Sequence, residues 1–390
     1  MSRPAFKLAM LGTVAAFAGL ALGNGLDRAS AQQPELAAYV PGFLAAEAHR
    51  ARAATALLAG DKPAAIAAAA RAVHADPIDP RSTALLGAAQ LVAGERVKAD
   101  RSFRVAGRFG WRDPLTQLYF MNVALSAGQP RLAALRLDAV LRQAPDFPVR
   151  DMLLAQFETT PQGRAALAER LALRPAWTGA YLQHTSGLDL PSLRNRAEVV
   201  GSLSAQPWGC DTIAPLVMQL AVKGGPIEAR RLWQGHCPAA TPGIADPHFA
   251  ALHQTRPPVP FEWNLIGSGD VSALPAASSR AGTTGLLVRV SGPVPRPIAW
   301  QMLAVPLGRY RLSWTAQDSN GKSAPGVLVS LSCRFDSRSL VAATELPGGK
   351  GRFQAAVSID KACPAPFITL WQAPGSDEVR LDDLALTYLP

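Results

Sequence analysis

Enzyme signatures are what this 390-residue sequence most conspicuously lacks. It holds no Gly-x-Ser-x-Gly elbow, no phosphate-cradling Gly-Lys-Ser/Thr loop and no His-Glu-x-x-His pair. Histidine occurs six times and only 17% of residues are charged, so general acids and bases have few sources. Cysteine occurs four times and never near the start, which excludes a bacterial lipoprotein. No long apolar run follows Gly23, so nothing downstream reads as a membrane span. Apolar side chains, in contrast, make up 48% of the chain, and this excludes wholesale disorder. Such a length exceeds one ordinary core and predicts two or three domains.

Residues 1–31 read as a secretory signal. Arg3 and Lys7 form a positive start, Leu8 to Gly23 an uncharged apolar run, and Ala29-Ser30-Ala31 a small-x-small cleavage site. The mature chain is then expected to begin at Gln32. An uncleaved anchor is the alternative, because Phe6 to Gly23 reaches the lower length limit for a span. Either way a periplasmic or secreted location is expected. There, four cysteines predict two disulfides, Cys210–Cys237 and Cys333–Cys363, each closed within its own region. The net charge is +10, or +8 once the signal is removed. An exported basic protein is not expected to meet nucleic acid, but suits anionic polysaccharide, lipopolysaccharide or a phospholipid surface. Plain solubility accounts for the same charge.

Gly60, Gly94 and Gly128 recur at 34-residue intervals, each closing a Leu-x-Ala-Gly phrase. Five residues later come Ala65, Ala99 and Ala133; nine later, Ala69, Phe103 and Leu137; twelve later, Ala72, Ala106 and Val140. Pro77 and Pro145 end the first and third units, and Trp111 then Pro114 stand in the second. This phrase resembles the tetratricopeptide repeat, a helix–turn–helix unit that buries its apolar face only by stacking on neighbours. The resemblance implies a helical solenoid over 35–240 that holds a protein partner. Pro161, Pro175 and Pro191 suit the first turns of further helices. Around Gly224, Ala229 and Trp233 recover the phrase as a diverged closing repeat.

The composition then changes. Residues 241–260 carry Pro242, Pro247, Pro257, Pro258 and Pro260 and read as a semi-rigid linker. From 261 to 390 the period becomes two. Tyr310, Leu312, Trp314 and Ala316 share one face against Arg309, Arg311 and Ser313, and Val327, Val329, Leu331 and Phe353, Ala355, Val357 repeat the pattern. Eight or nine short strands fit an antiparallel β-sandwich. The order Leu287–Val290, Trp300-Gln301, Gly308–Trp314 and Val379–Leu386 resembles the galactose-binding-like jelly rolls, many of which are carbohydrate-binding modules. That resemblance implies contact with a glycan or a second protein.

Four groups of side chains merit a functional reading. Trp300 and Trp371 could stack on a sugar ring, as could Trp314, although the Trp314 strand face reads as core. Trp371 shares a face with Phe367 against Ile368 and Leu370, which equally fits a strand buried on both sides, and Trp300 beside Gln301 is open in the same way. Arg101, Arg104, Arg108 and Arg112 fall on one face of a second repeat helix, as a basic stripe for an acidic polymer or a solvated face. His248 and His253 near Asp246 could approach a metal but lie in the linker, and no metal or cofactor is expected. Asp382 and Asp383 could serve a cation only through a bulge, because neighbours in a strand point to opposite faces.

The leading expectation is a non-catalytic binding scaffold, with envelope polysaccharide assembly as its specific context. A glycan-active enzyme or accessory drawing on Glu262, Asp270, Glu345, Asp382 or Asp383 is the alternative. A third reading makes the jelly roll a purely structural cap.

Overall fold

The computed structural model describes residues 3–203, 208–237, 243–250, 252, 258–266, 269–278, 283–334, 336–374 and 378–390, with side chains from residue 10 onward. Pro242, His253 and Pro257 lie outside the described residues. The chain forms two compact units, Met1–Leu153 and Leu154–Pro390.

The first unit opens with helix α1 (Arg3–Ala29) and continues as three helix pairs. These are α2 (Ala46–Leu58) with α3 (Lys62–Ala75), α4 (Pro80–Val92) with α5 (Arg96–Gly107), and α6 (Pro114–Ser126) with α7 (Pro130–Gln143). Each pair turns on its repeat glycine. Gly60, Gly94 and Gly128 have φ of 76°, 86° and 68°, a left-handed backbone that glycine adopts without strain. The next N–H reaches back to an orphan carbonyl of the helix just ended: Asp61 to Ala56 at 2.9 Å, Glu95 to Gln90 at 2.8 Å and Gln129 to Ala124 at 2.8 Å. This is the Schellman cap, three times over. The positions five and nine residues on are buried between helices, from Ala65 and Ala69 through Ala99 and Phe103 to Ala133 and Leu137. Small residues let helices approach while the ninth position fills the gap. Burying a Phe103-sized side chain stabilises by about 2–3 kcal/mol.

The second unit combines helices and sheets. Its helical part contains the end of α8 (Arg150–Glu158), then α9 (Pro161–Leu171), α10 (Thr178–Gln183), α11 (Leu190–Gly201), α12 (Cys210–Val222) and α13 (Pro226–His236). Pro161 and Pro191 occupy first turns of α9 and α11. Pro175 does not open a helix, because the chain bends at Arg174 (φ 49°) and α10 starts only at Thr178. The turn between α12 and α13 repeats the Schellman cap at Gly224 (φ 104°), with Gly225 N–H on Leu220 O at 2.9 Å. Cys210 and Cys237 are bonded across the ends of this pair, and Cys333 is bonded to Cys363.

Ten strands follow among the described residues: β1 (Asn264–Leu265), β2 (Val271–Ala277), β3 (Thr284–Val290), β4 (Arg296–Met302), β5 (Gly308–Asp318), β6 (Val327–Ser332), β7 (Thr344–Glu345), β8 (Arg352–Ile359), β9 (Phe367–Gln372) and β10 (Val379–Leu389). They pair antiparallel into a sheet of order β1-β4-β9-β6 and a sheet of order β2-β3-β10-β5-β8-β7. Leu286, Val288, Leu312, Trp314, Phe353 and Leu381 of the larger sheet meet Ile298, Val329, Ile368 and Leu370 of the smaller in one core. The alternation along β5 matches the sequence pattern, with Tyr310, Leu312, Trp314 and Ala316 inward.

The compact division falls after Leu153 and not in the proline-rich segment. Ile244 and Phe249 of that segment are buried in the sandwich core. The Gln301 side-chain amide bonds both Ala245 N (2.9 Å) and Ala245 O (3.0 Å). Prolines there rule out helix, but the apolar residues between them still bury. Arg230 on α13 donates to Ala304 O at 2.8 Å, and Trp233 meets Phe261 edge-on at 6.4 Å, so the last helix joins the sheets.

Candidate functional site

The first helices of the second and third repeats, α4 and α6, border a groove of about 800 Å³. Leu91 and Val92 line it from α4, Arg96 and Phe103 from α5, and Leu115, Leu118, Tyr119, Asn122, Val123 and Ser126 from α6. Leu91, Val92, Leu115 and Val123 are all exposed apolar side chains. The floor is rigid, because Phe103 and Tyr119 stack with centroids 4.1 Å apart at 11°. The Tyr119 hydroxyl donates to Asp100 Oδ1 at 2.9 Å, and Arg104 Nε holds Asp100 Oδ2 at 2.7 Å. The bond from Arg104, then that from Tyr119, holds the Asp100 carboxyl below its ordinary range. Burial, and then the Asp100 bond, pushes the Tyr119 phenol up, so it stays a neutral donor. The result is an apolar trough with fixed polar edges. Leu91 and Val92 belong to the repeat phrase itself, yet their solvent-facing direction is set by packing and is not encoded in the spacing.

The basic stripe forms only in part. Arg101, Arg104 and Arg108 are exposed at helical spacing, but α5 ends at Gly107 and Gly110 (φ 110°) turns the chain before Arg112. Arg104 is also committed to Asp100.

The two tryptophans do not form a sugar platform. Trp300 and Trp371 are each 6% exposed. Trp300 packs edge-on against Phe367 at 5.4 Å, and Trp371 Nε1 donates to Ser330 Oγ at 2.9 Å. Strand β9 is buried along its whole length, on both faces. Trp314 lies in the core and stacks on Phe353.

Sequence reasoning overlooked the outer face of the larger sheet. Outward positions of β3, β5 and β8 carry Arg289, Arg309, Arg311 and Arg352, all exposed, while β10 between β3 and β5 carries Asp382 opposite outward Thr315. The period-two pattern already separated these arginines from the core, and Arg309 and Arg311 stood in it as the polar side of β5.

Asp382 and Asp383 meet His248. The β10 ladder shifts register between Asp382 and Ala385, and Asp383 takes φ 53°, so a bulge turns consecutive carboxylates to one side. His248 Nδ1 lies 2.8 Å from Asp382 Oδ1 and 3.6 Å from Asp383 Oδ1. One ligand atom from each of the three lies within 4.8 Å of the others, the spacing a cation would need. Asp382, however, is already satisfied: it accepts from His248, from Ser278 Oγ and from Asp383 N–H at 2.7 Å. Thr284 Oγ1 donates to His248 O at 2.7 Å as well. The arrangement reads as a latch that fastens the proline-rich segment to the sheet. The remaining carboxylates are dispersed, with Asp270 on Arg296 at 2.6 Å and Glu345 accepting from Gly351 N–H at 3.0 Å.

No protein-family model matches the chain, and no curated protein matches its sequence. Among solved structures, one titled as the functional characterization of Pseudomonas aeruginosa pilF is 18% identical, covering 47% of this chain and 95% of its own at a TM-score of 0.25. At that score the likeness carries no argument, and the repeat assignment rests on the capped helix pairs themselves.

Proposed function

We propose that the chain is an exported, non-catalytic scaffold whose repeats seat an apolar segment of a protein partner. The observation that carries this reading is the groove between α4 and α6, where exposed Leu91, Val92, Leu115 and Val123 surround a stacked Phe103–Tyr119 floor. Export is supported by the apolar N-terminal helix and the two disulfides. A photo-reactive residue at Leu91 or Val123 should cross-link one partner species in the native envelope, whereas Val97, exposed on α5, should not. Leu91→Glu should abolish the cross-link from Val123. Identical products at all three positions, or none from the groove, would sink the proposal.

A second reading concerns the sandwich. Its outer-face arginines support contact with an anionic glycan, and envelope polysaccharide assembly is a setting where protein and glycan partners meet. Retention on an anionic polysaccharide column that falls with salt, and falls further in Arg309→Glu/Arg311→Glu, is the expected outcome. Release of new reducing ends from envelope glycans, lost on changing Asp270, Glu345 or Asp383, would favour the enzyme alternative instead.

A further inference from the structure

The stretch joining α1 to the first repeat is packed in place. Leu26 of α1 joins Ala37, Val40, Leu44, Ala45 and Ala48 in a small core. Gly23 is buried there, and a Cβ at that position would stand 2.7 Å from Leu44 Cδ1. Helix α2 starts behind Ala45, whose side chain offers no capping oxygen. Asp27, 6% exposed and 21 residues upstream of Ala48, supplies one. Its Oδ1 accepts from Ala48 N–H at 2.8 Å and its Oδ2 from Glu47 N–H at 3.1 Å. A carboxylate at this place satisfies orphan donors and complements the positive end of the helix. Fully buried Ser30 then donates its hydroxyl to Asp27 O at 2.6 Å.

Two consequences follow. The small-x-small site Ala29-Ser30-Ala31 lies at a helix end with Ala31 and Gln32 exposed, but Ser30 is enclosed and the backbone is held in a turn by Gln32 N–H and Gln33 N–H on Ala29 O at 3.0 and 2.9 Å, so a peptidase that needs an extended chain must first open it. Cutting after Ala31 would also remove Asp27, the side chain that caps α2 among the described residues. Before Gly23, α1 is different: Met10, Leu11, Val14, Phe17, Leu20 and Leu22 are exposed around the helix. An apolar surface on every side suits hydrocarbon, whereas a protein groove needs a single stripe. Phe6 to Gly23 spans about 27 Å at 1.5 Å per residue, near the roughly 30 Å of a bilayer core.

We infer that α1 is a retained membrane anchor, with Asp27 and Ser30 sealing the cleavage-like site and docking the first repeat against the anchor. This rests on export but not on the groove, and the two are separable in the test. The full chain with a C-terminal tag is expressed in a bacterial host with intact signal peptidase, fractionated with carbonate, and its N-terminus determined by intact mass. The expected wild-type product is uncleaved, resists carbonate and exposes its tag to protease added to spheroplasts. Asp27→Ala should give a detectable product starting at Gln32 where the wild type gives none, as expected on losing a helix cap. Asp27→Asn keeps an acceptor and should remain intact, which separates capping from a charge effect on the peptidase. A wild-type product that begins at Gln32, or extraction of the uncleaved chain by carbonate, overturns the inference. Equal cleavage of wild type, Asp27→Ala and Asp27→Asn overturns the sealing role. A tag shielded in spheroplasts refutes export itself.

Discussion

Replacing Arg196 by methionine should destabilise the unit from Leu154 to Pro390 by about 3–5 kcal/mol, because it strands a carboxylate in the interior. Arg196 on α11 is 0% exposed and Glu158 at the end of α8 is 2% exposed. Their Nε and Oε1 are 2.9 Å apart, and Arg196 Nη1 donates to Tyr181 O at 3.0 Å. The guanidinium also lies 4.4 Å from the Tyr181 ring centroid. With charges about 4 Å apart and an effective dielectric near 20, the attraction is about 4 kcal/mol. Desolvating each ion costs several kcal/mol, so the intact pair is close to neutral and the broken pair is not. Arg196→Met/Glu158→Leu should therefore recover to within about 1 kcal/mol of the unmodified protein. Urea unfolding followed by near-ultraviolet circular dichroism and by tryptophan emission would measure this, with transitions fitted separately because two units need not unfold as one. A single-variant loss below about 1 kcal/mol would contradict the buried-charge argument, as would a double variant matching the summed losses.

His236 accepts from Trp208 N–H at Nδ1 (3.3 Å) and faces Val200 O through Nε2 (3.2 Å), an arrangement that suits the neutral ring. Burial lowers its pKa from the ordinary 6.5, against the opposing pull of the Val200 carbonyl. The unfolded chain therefore binds the proton first, so stability should fall as pH drops below about 6.5 and level off below the folded value. His236→Gln should reduce this slope in melts between pH 5 and 7.5, leaving the part due to His49, whose shift has the same sign. An unchanged slope would refute the assignment. Gly94→Val should cost about 1–3 kcal/mol through backbone strain at φ 86°. The added Cβ meets nothing within 4 Å, so Gly94→Asn, which tolerates this region, should cost clearly less when both variants are compared by calorimetry. His248→Ala should lower the melting temperature of the second unit while EDTA leaves it unchanged, and a chelator-sensitive melt would replace the latch with a metal site.

Much of the fold was readable because it is local. A left-handed glycine, a small residue five positions later and an apolar one nine positions later specify a helical hairpin without reference to distant chain. Alternation along β5 likewise needs only its own residues. The proline-rich segment misled because proline reports backbone shape and says nothing of burial, and Ile244 and Phe249 went unweighed between the prolines. Trp300 and Trp371 misled for a related reason. Aromatic type marks a capacity to stack, but whether a ring is free depends on what covers the sheet. Strand β9 carries Phe367 and Trp371 on one face and Ile368 and Leu370 on the other, the readable warning of the two-sided burial that the structure shows.

The contacts that position the less legible groups all join residues distant in sequence. His248 and Asp382 are 134 residues apart, and only the bulge at Asp382 allows both aspartates to face the same side. Adjacent carboxylates on a strand argue against a shared partner until a bulge is known, and nothing in their flanks announces one. Asp27 is a different case. Helices α3, α4, α6, α9 and α11 carry their own capping Asp or Thr, whereas α5, α7 and α13 emerge directly from a Schellman turn that orders their first residues. Helix α2 has neither device, since Ala45 precedes it and 3-10 turns lead in. Its N–H groups must find an oxygen from elsewhere in the chain or remain on water. Helices α10 and α12 also start without a side-chain cap, so an uncapped start does not by itself announce a distant acceptor; at α2 the acceptor is Asp27, the acidic residue between the apolar run and the cleavage-like site.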